Sequence, residues 1–120
     1  MFKERRRATR VDANLAITII GEPEEALGKT LNVSTNGVLF QSPRFMDVLT
    51  KVQFELVFPP TASATGAKEE RVAIDGVVVR VDPETQDSTV EFYNIAVFFT
   101  FVSKSSQNVL ARFIKNRSVE

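Results

Sequence analysis

The chain contains no cysteine and no histidine. Without cysteine there are no disulfides, thiolate nucleophiles or thiolate metal sites, a composition that fits a reducing compartment and predicts a cytoplasmic location. Without histidine, the commonest general base and a frequent transition-metal ligand are missing too, which argues against triad-type and metal-assisted catalysis. The adjacent acids Glu24 with Glu25, and Glu69 with Glu70, lie in Pro-, Gly- or Ala-rich loop sequence, a poor scaffold for paired carboxylates. No Walker-type phosphate loop or dinucleotide glycine fingerprint is present. The expectation is therefore no enzyme: no catalytic residues, no metal and no cofactor. Charge of one sign is also lacking, because 15 basic and 15 acidic side chains sum to zero. No global field gathers DNA or anionic lipid, so no DNA partner is expected and any attraction for anions is local. Long apolar runs are absent as well. Leu15 to Ile20 is short, preceded by Asp12 and Asn14, and serves neither as a signal peptide nor as a membrane span.

What is present is enough for one compact domain: 120 residues, 43% of them apolar, with ten phenylalanines. The dominant period is two. Leu15, Ile17 and Ile19 alternate with smaller or polar neighbours, and the turn signal Gly21-Glu22-Pro23 separates them from a second extended run, Lys29 to Val33. Val38 to Phe40 forms a third run, and Val52, Phe54, Leu56 and Phe58 share one face of a fourth that ends at Pro59-Pro60. Thr61 to Glu70 has no large apolar residue and reads as a mobile connection. Arg71 to Val81 reads as a long strand with a bulge at Gly76, the alternative being a tight hairpin at Asp75-Gly76. After Asp82-Pro83, Val90 to Phe101 is the last strand, and its segment Ile95 to Phe99 is apolar enough to face the interior on both sides. From an N-cap at Ser103 or Ser105, the residues Val109, Leu110, Phe113 and Ile114 recur at helical spacing. The pattern predicts an all-β fold, a six-stranded antiparallel barrel with a C-terminal α-helix. Its divisions are an N-terminal arm over 1–12, a barrel over 13–102 and a helix over 103–116.

Two polar segments interrupt this pattern. The first ten residues hold five basic side chains, with Arg5, Arg6 and Arg10 spaced as Arg-Arg-x-x-x-Arg. A basic terminus is ordinarily a solvated tail, yet the guanidinium fork also fits phosphate and the Hoogsteen edge of guanine. The second segment, Asn32-Val33-Ser34-Thr35-Asn36-Gly37, lies between two apolar strands. Its plain interpretation is a turn, with Gly37 supplying a positive φ and Asn32 or Ser34 bonding nearby backbone.

Arg-x-x-x-Arg at Arg6 and Arg10, followed by strand, turn, strand and then Asn-x-Ser-x-x-Gly at Asn32, Ser34 and Gly37, resembles the PilZ domain family. The resemblance extends through Val38-Leu39-Phe40, Gly76-Val77-Val78-Val79-Arg80, the aromatic last strand and the terminal helix. It implies a six-stranded barrel that binds the bacterial second messenger cyclic di-GMP on its outer wall. By that resemblance Arg6 and Arg10 clamp phosphates and guanine edges, Asn32 pairs with a guanine edge, Ser34 offers its hydroxyl, and Gly37 admits the ligand to the backbone. Arg5 precedes the pair, where it stacks on guanine and bears on whether one ligand or a stacked pair is bound. The family's last strand often has glycine where this chain has Ala96.

The resulting expectation is a cyclic di-GMP effector whose arginine arm orders on binding and signals to a partner protein not identifiable from sequence. Two alternatives stay open. One is a PilZ-like protein-interaction module without a ligand. The other is a small barrel binding single-stranded nucleic acid, which requires exposed aromatics interleaved with cations, whereas most phenylalanines here fall at core-like strand positions.

Overall fold

The computed structural model describes residues 9–20, 28–59 and 69–118. Seven strands, β1 (Val11–Asp12), β2 (Ala16–Ile19), β3 (Gly28–Val33), β4 (Gly37–Ser42), β5 (Lys51–Phe58), β6 (Glu70–Asp82) and β7 (Tyr93–Val102), precede one helix, α1 (Lys104–Ser118). All pairings are antiparallel, and the order β3–β2–β5–β6–β7–β4 closes on itself because β4 also pairs with β3. β1 and β2 are two pieces of one interrupted strand. Both pair with β3, β1 through Val11 opposite Val33 and Asp12 opposite Asn32, β2 through Ala16 opposite Lys29. The wall is thus a closed six-stranded antiparallel barrel with one C-terminal helix, as the alternation predicts, and closure removes the long free edges. The turn at Gly21 to Pro23 and residues 61–68 of the expected mobile connection lie outside the described residues.

Alternation builds the core. β5 turns Val52, Phe54, Leu56 and Phe58 inward, with Phe54 and Leu56 fully buried, and burying one such side chain contributes about 1.5–3 kcal/mol. In β7, Tyr93, Ile95, Val97 and Phe99 point inward while Phe98 is 50% exposed. The apolar run Ile95 to Phe99 therefore faces the interior on one side only, because the second face of this strand is the outer wall. The strand also starts at Tyr93 and not at Val90. The Val90 N–H closes a turn onto the Asp87 carbonyl, and the Tyr93 hydroxyl bridges the N–H and C=O of Asp87, each at 3.0 Å. Two hydrogen bonds from Thr89, from its N–H and its hydroxyl, hold the Asp87 carboxyl below the usual carboxylate range.

β6 is continuous, with the expected irregularity at Gly76 and no hairpin. The supernumerary residue there is on the partner strand: Asp75 opposes Phe101 and Gly76 opposes Phe99, leaving Thr100 bulged. A Cβ on Gly76 would lie 2.5 Å from Val97 Cγ1 and 2.9 Å from the Phe98 carbonyl oxygen, so glycine is what permits this approach. A second register shift, between Val78 and Arg80, turns both Val79 and Arg80 outward.

Two polar devices complete the fold. Thr30, buried in β3, accepts a hydrogen bond from the Leu15 N–H at 2.8 Å and donates to the Ala13 carbonyl at 2.6 Å, stapling the break between β1 and β2. Ser103 is the N-cap of α1: its hydroxyl accepts the Ser106 N–H at 3.2 Å and donates to the buried Ser106 hydroxyl at 3.0 Å. The helix packs against β6 and β1 and buries Leu110 and Ile114, with the Phe58 and Phe113 rings edge to face at 5.0 Å. Ser103→Ala removes the cap, and urea denaturation is expected to show about 1 kcal/mol less stability; Ser105→Ala, two residues further in, is expected to change it by less than half of that.

Candidate functional site

Strand register assembles the site. Across the outer wall, Asp12 on β1 opposes Asn32 on β3, Asn32 opposes Leu39 on β4, Leu39 opposes Ala96 on β7, and Ala96 opposes Arg80 on β6. One row therefore carries an acid at one end, a guanidinium at the other, and an amide and two apolar side chains between them. β1 brings the chain entering from the N-terminus onto this row, since Arg10 immediately precedes Val11. The Arg10 guanidinium donates to the Asn32 side-chain oxygen at 2.6 Å, joining two sequence segments 22 residues apart. Both groups face solvent, Arg10 exposed and Asn32 half-buried. The bond consumes the amide acceptor of Asn32 and leaves its NH₂ and the rest of the guanidinium as a set of donors.

Ser34 is held differently. It is 1% exposed, and its hydroxyl accepts the Asn36 N–H at 3.2 Å and lies 2.9 Å from the Asn36 amide oxygen and 3.4 Å from the Gly37 carbonyl. Its N–H donates to the Gly37 carbonyl at 2.9 Å. In this arrangement the hydroxyl organises the turn between β3 and β4. The Asn36 carbonyl in turn accepts the Phe99 N–H at 2.9 Å, fastening the turn to β7. The sequence reading gives Asn36 no role of its own, although a turn of Asn beside Gly signals such bonding.

Gly37 does not adopt the positive φ expected of it. Glycine is required for a steric reason: a Cβ would sit 2.9 Å from the Val97 carbonyl oxygen, so β4 and β7 could not approach as they do. Arg5 and Arg6 lie outside the described residues. Thr30 is almost wholly buried yet bears on the site's geometry, because it bonds the chain at Ala13 and Leu15 that follows β1; a threonine within a strand carries no sequence signal for that role. Among the described residues no cluster of acids suits a metal ion, and no helix is long and apolar enough to cross a membrane. The arrangement offers donors and apolar surface, which suits recognition of an anionic, planar ligand.

Comparison with known proteins bears on the fold and the family. No curated protein sequence matches the chain. Among solved structures, the inhibitor of motility MotI/DgrA of Bacillus subtilis superposes with a TM-score of 0.73 at 18% identity, covering 96% of this chain and 51% of that one. This chain thus spans about half the length of that relative. The PilZ domain of YcgR from Escherichia coli, solved with c-di-GMP, superposes with a TM-score of 0.61 at 15% identity over 94% of this chain and 91% of that one. The PilZ domain family model matches residues 4–116, and with that match spanning the arm, the barrel and the helix, the chain belongs to the PilZ domain family.

Proposed function

We propose that this protein is a cyclic di-GMP receptor that acts as an adaptor and not as an enzyme, binding the messenger on the outer wall of the barrel where the N-terminal arm meets β3. The observation that carries this reading is the 2.6 Å hydrogen bond from Arg10 to Asn32, which unites the two family motifs on one exposed row. The donors left by that bond match guanine, whose Hoogsteen edge presents two acceptors, O6 and N7; adenine presents one acceptor and one donor there. Arg6 supplies a second cationic fork for phosphate or guanine, and Arg5 stacks on an exposed base, which bears on whether one or two nucleotides bind. Gly37 keeps the wall free of a side chain beside Asn32's row. Ser34 contributes through the turn it organises and donates to the ligand only by exchanging its bond to Asn36.

The response is an ordering, on the ligand, of the arm that leads into the Arg10–Asn32 pair. Fixing the arm costs conformational entropy, and charge-assisted hydrogen bonds of about 1.5–3 kcal/mol each offset it. The ordered arm presents a new surface to a partner protein in the bacterial cytoplasm. Calorimetry tests the reading: cyclic di-GMP titrated into the folded protein is expected to give a saturable isotherm, and cyclic di-AMP binding at least tenfold weaker. A folded protein that gives no heat with cyclic di-GMP at tens of micromolar overturns it.

A further inference from the structure

Phe98 is one of three exposed phenylalanines among the described residues, with Phe92 and Phe101, and it is the one paired across strands with Gly37, beside the row that carries Asn32. It stands 50% exposed in the middle of β7, flanked by core residues Val97 and Phe99. Nothing in the core requires a large apolar side chain there, and leaving an aromatic ring half in water forgoes the burial that its neighbours gain. Toward β4 its surroundings on the wall are small, while on β6 it opposes the half-buried Val77. Its cross-strand partner on β4 is Gly37, which has no side chain to flank the ring, and two residues back on β7 stands Ala96. Leu39 opposes Ala96, so the four outward positions form a square with large residues, Phe98 and Leu39, on one diagonal and small ones, Gly37 and Ala96, on the other. Leu39 in turn is the cross-strand neighbour of Asn32, the partner of Arg10. The ring therefore stands beside the donor set, two strands across and two residues along. With strands about 4.8 Å apart and about 3.4 Å per residue, the α-carbons of Asn32 and Phe98 are about 12 Å apart.

We propose that Phe98 is a base-stacking contact of the nucleotide site: the ring receives the face of one purine while the Arg10–Asn32 pair holds the ligand's polar edge. The inference rests on the cyclic di-GMP reading and deepens it. The wall then supplies both things a guanine nucleotide needs, donors for its edge and an aromatic plane for its face. Stacking on an aromatic side chain tolerates any base, so Phe98 contributes affinity while discrimination stays with Arg10 and Asn32. Ala96 fits this arrangement, since a larger residue there would fill the floor between Leu39 and Phe98.

The test compares Phe98→Leu, Phe98→Ala and Phe98→Trp with the parent protein by calorimetry with cyclic di-GMP, with urea denaturation showing that each variant is folded. Leucine keeps apolar bulk and removes the ring. The expected result is at least about tenfold weaker binding for Phe98→Leu and Phe98→Ala, near-parental binding for Phe98→Trp, and an upfield shift of the guanine H8 resonance that Phe98→Leu abolishes. If the parent binds and Phe98→Leu binds as tightly with the same H8 shift, this inference falls and the receptor reading stands; Phe98 is then a protein-docking residue. If the parent itself fails to bind, both fall together.

Discussion

Arg10→Ala is expected to weaken cyclic di-GMP binding at least tenfold, a loss of about 1.4 kcal/mol, measured by calorimetry on the folded protein. Two losses combine in this variant. The guanidinium no longer reaches the ligand, and Asn32, released from its 2.6 Å bond, no longer has its amide fixed with the NH₂ outward. The second loss predicts coupling. Asn32→Ala alone removes the edge-reading amide, and the double variant Arg10→Ala/Asn32→Ala is expected to lose less than the sum of the two single effects, because each single change already disables the shared pair. Strict additivity would mean that the two side chains act on the ligand independently and that the bond between them is incidental. Arg6→Ala is expected to cost at least as much as Arg10→Ala through its lost cationic fork, with no coupling to Asn32 required. Because Arg10 and Asn32 are exposed or half-buried, all of these variants are expected to keep the parental unfolding midpoint.

The largest effect on stability is expected at Thr30. Thr30→Val is nearly isosteric, yet it deletes the acceptor for the Leu15 N–H and the donor to the Ala13 carbonyl in a buried setting. Each buried group left without a partner costs about 1–3 kcal/mol, so with two such groups urea denaturation is expected to show a loss of about 2–6 kcal/mol. Thr30→Ser, which keeps the hydroxyl and removes one methyl, is expected to lose only about 1 kcal/mol. The contrast between the two separates the hydrogen bonds from the packing. Because Thr30 holds β1 in place, Thr30→Val is also expected to reduce nucleotide affinity, while Ser103→Ala, a cap that bonds neither Arg10 nor Asn32, leaves it unchanged.

Much of the barrel was legible because a wall with one wet face and one dry face writes itself as alternation. Val52, Phe54, Leu56 and Phe58 are the clearest instance, and the same rule identifies Leu15, Ile17 and Ile19. The rule failed where both faces are apolar. In Ile95 to Phe99 nothing in composition distinguishes Phe98, which faces water, from Phe99, which does not; only the register against β4 and β6 does. β1 was invisible for another reason: two residues carry no period, and Val11 with Asp12 joins the sheet because Thr30 holds the chain after it. In the site, the residue types were legible and their geometry was not. Gly37 drew attention for its backbone freedom and for admitting a ligand, whereas the constraint on it is the carbonyl of Val97 on a strand sixty residues later. Ser34 reads as an exposed donor until burial shows its hydroxyl engaged within the turn. Long-range neighbours decide each of these cases, and a single sequence does not print them.

The alternation of β7 divides the labour of the chain. Val97 and Phe99 answer to the barrel, packing among residues whose volumes are mutually constrained, while Phe98 between them answers to nothing inside it. Outward positions on this wall are therefore a surface that selection can rewrite without reopening the question of folding. If the wall binds as proposed, a change at Phe98, Leu39 or Ala96 alters its recognition at little cost to the barrel, whereas a change one residue to either side of Phe98 does the reverse. One scaffold can in this way keep its shape while its outer face changes, which makes the wall, more than the core, the part of the barrel free to take on a new partner.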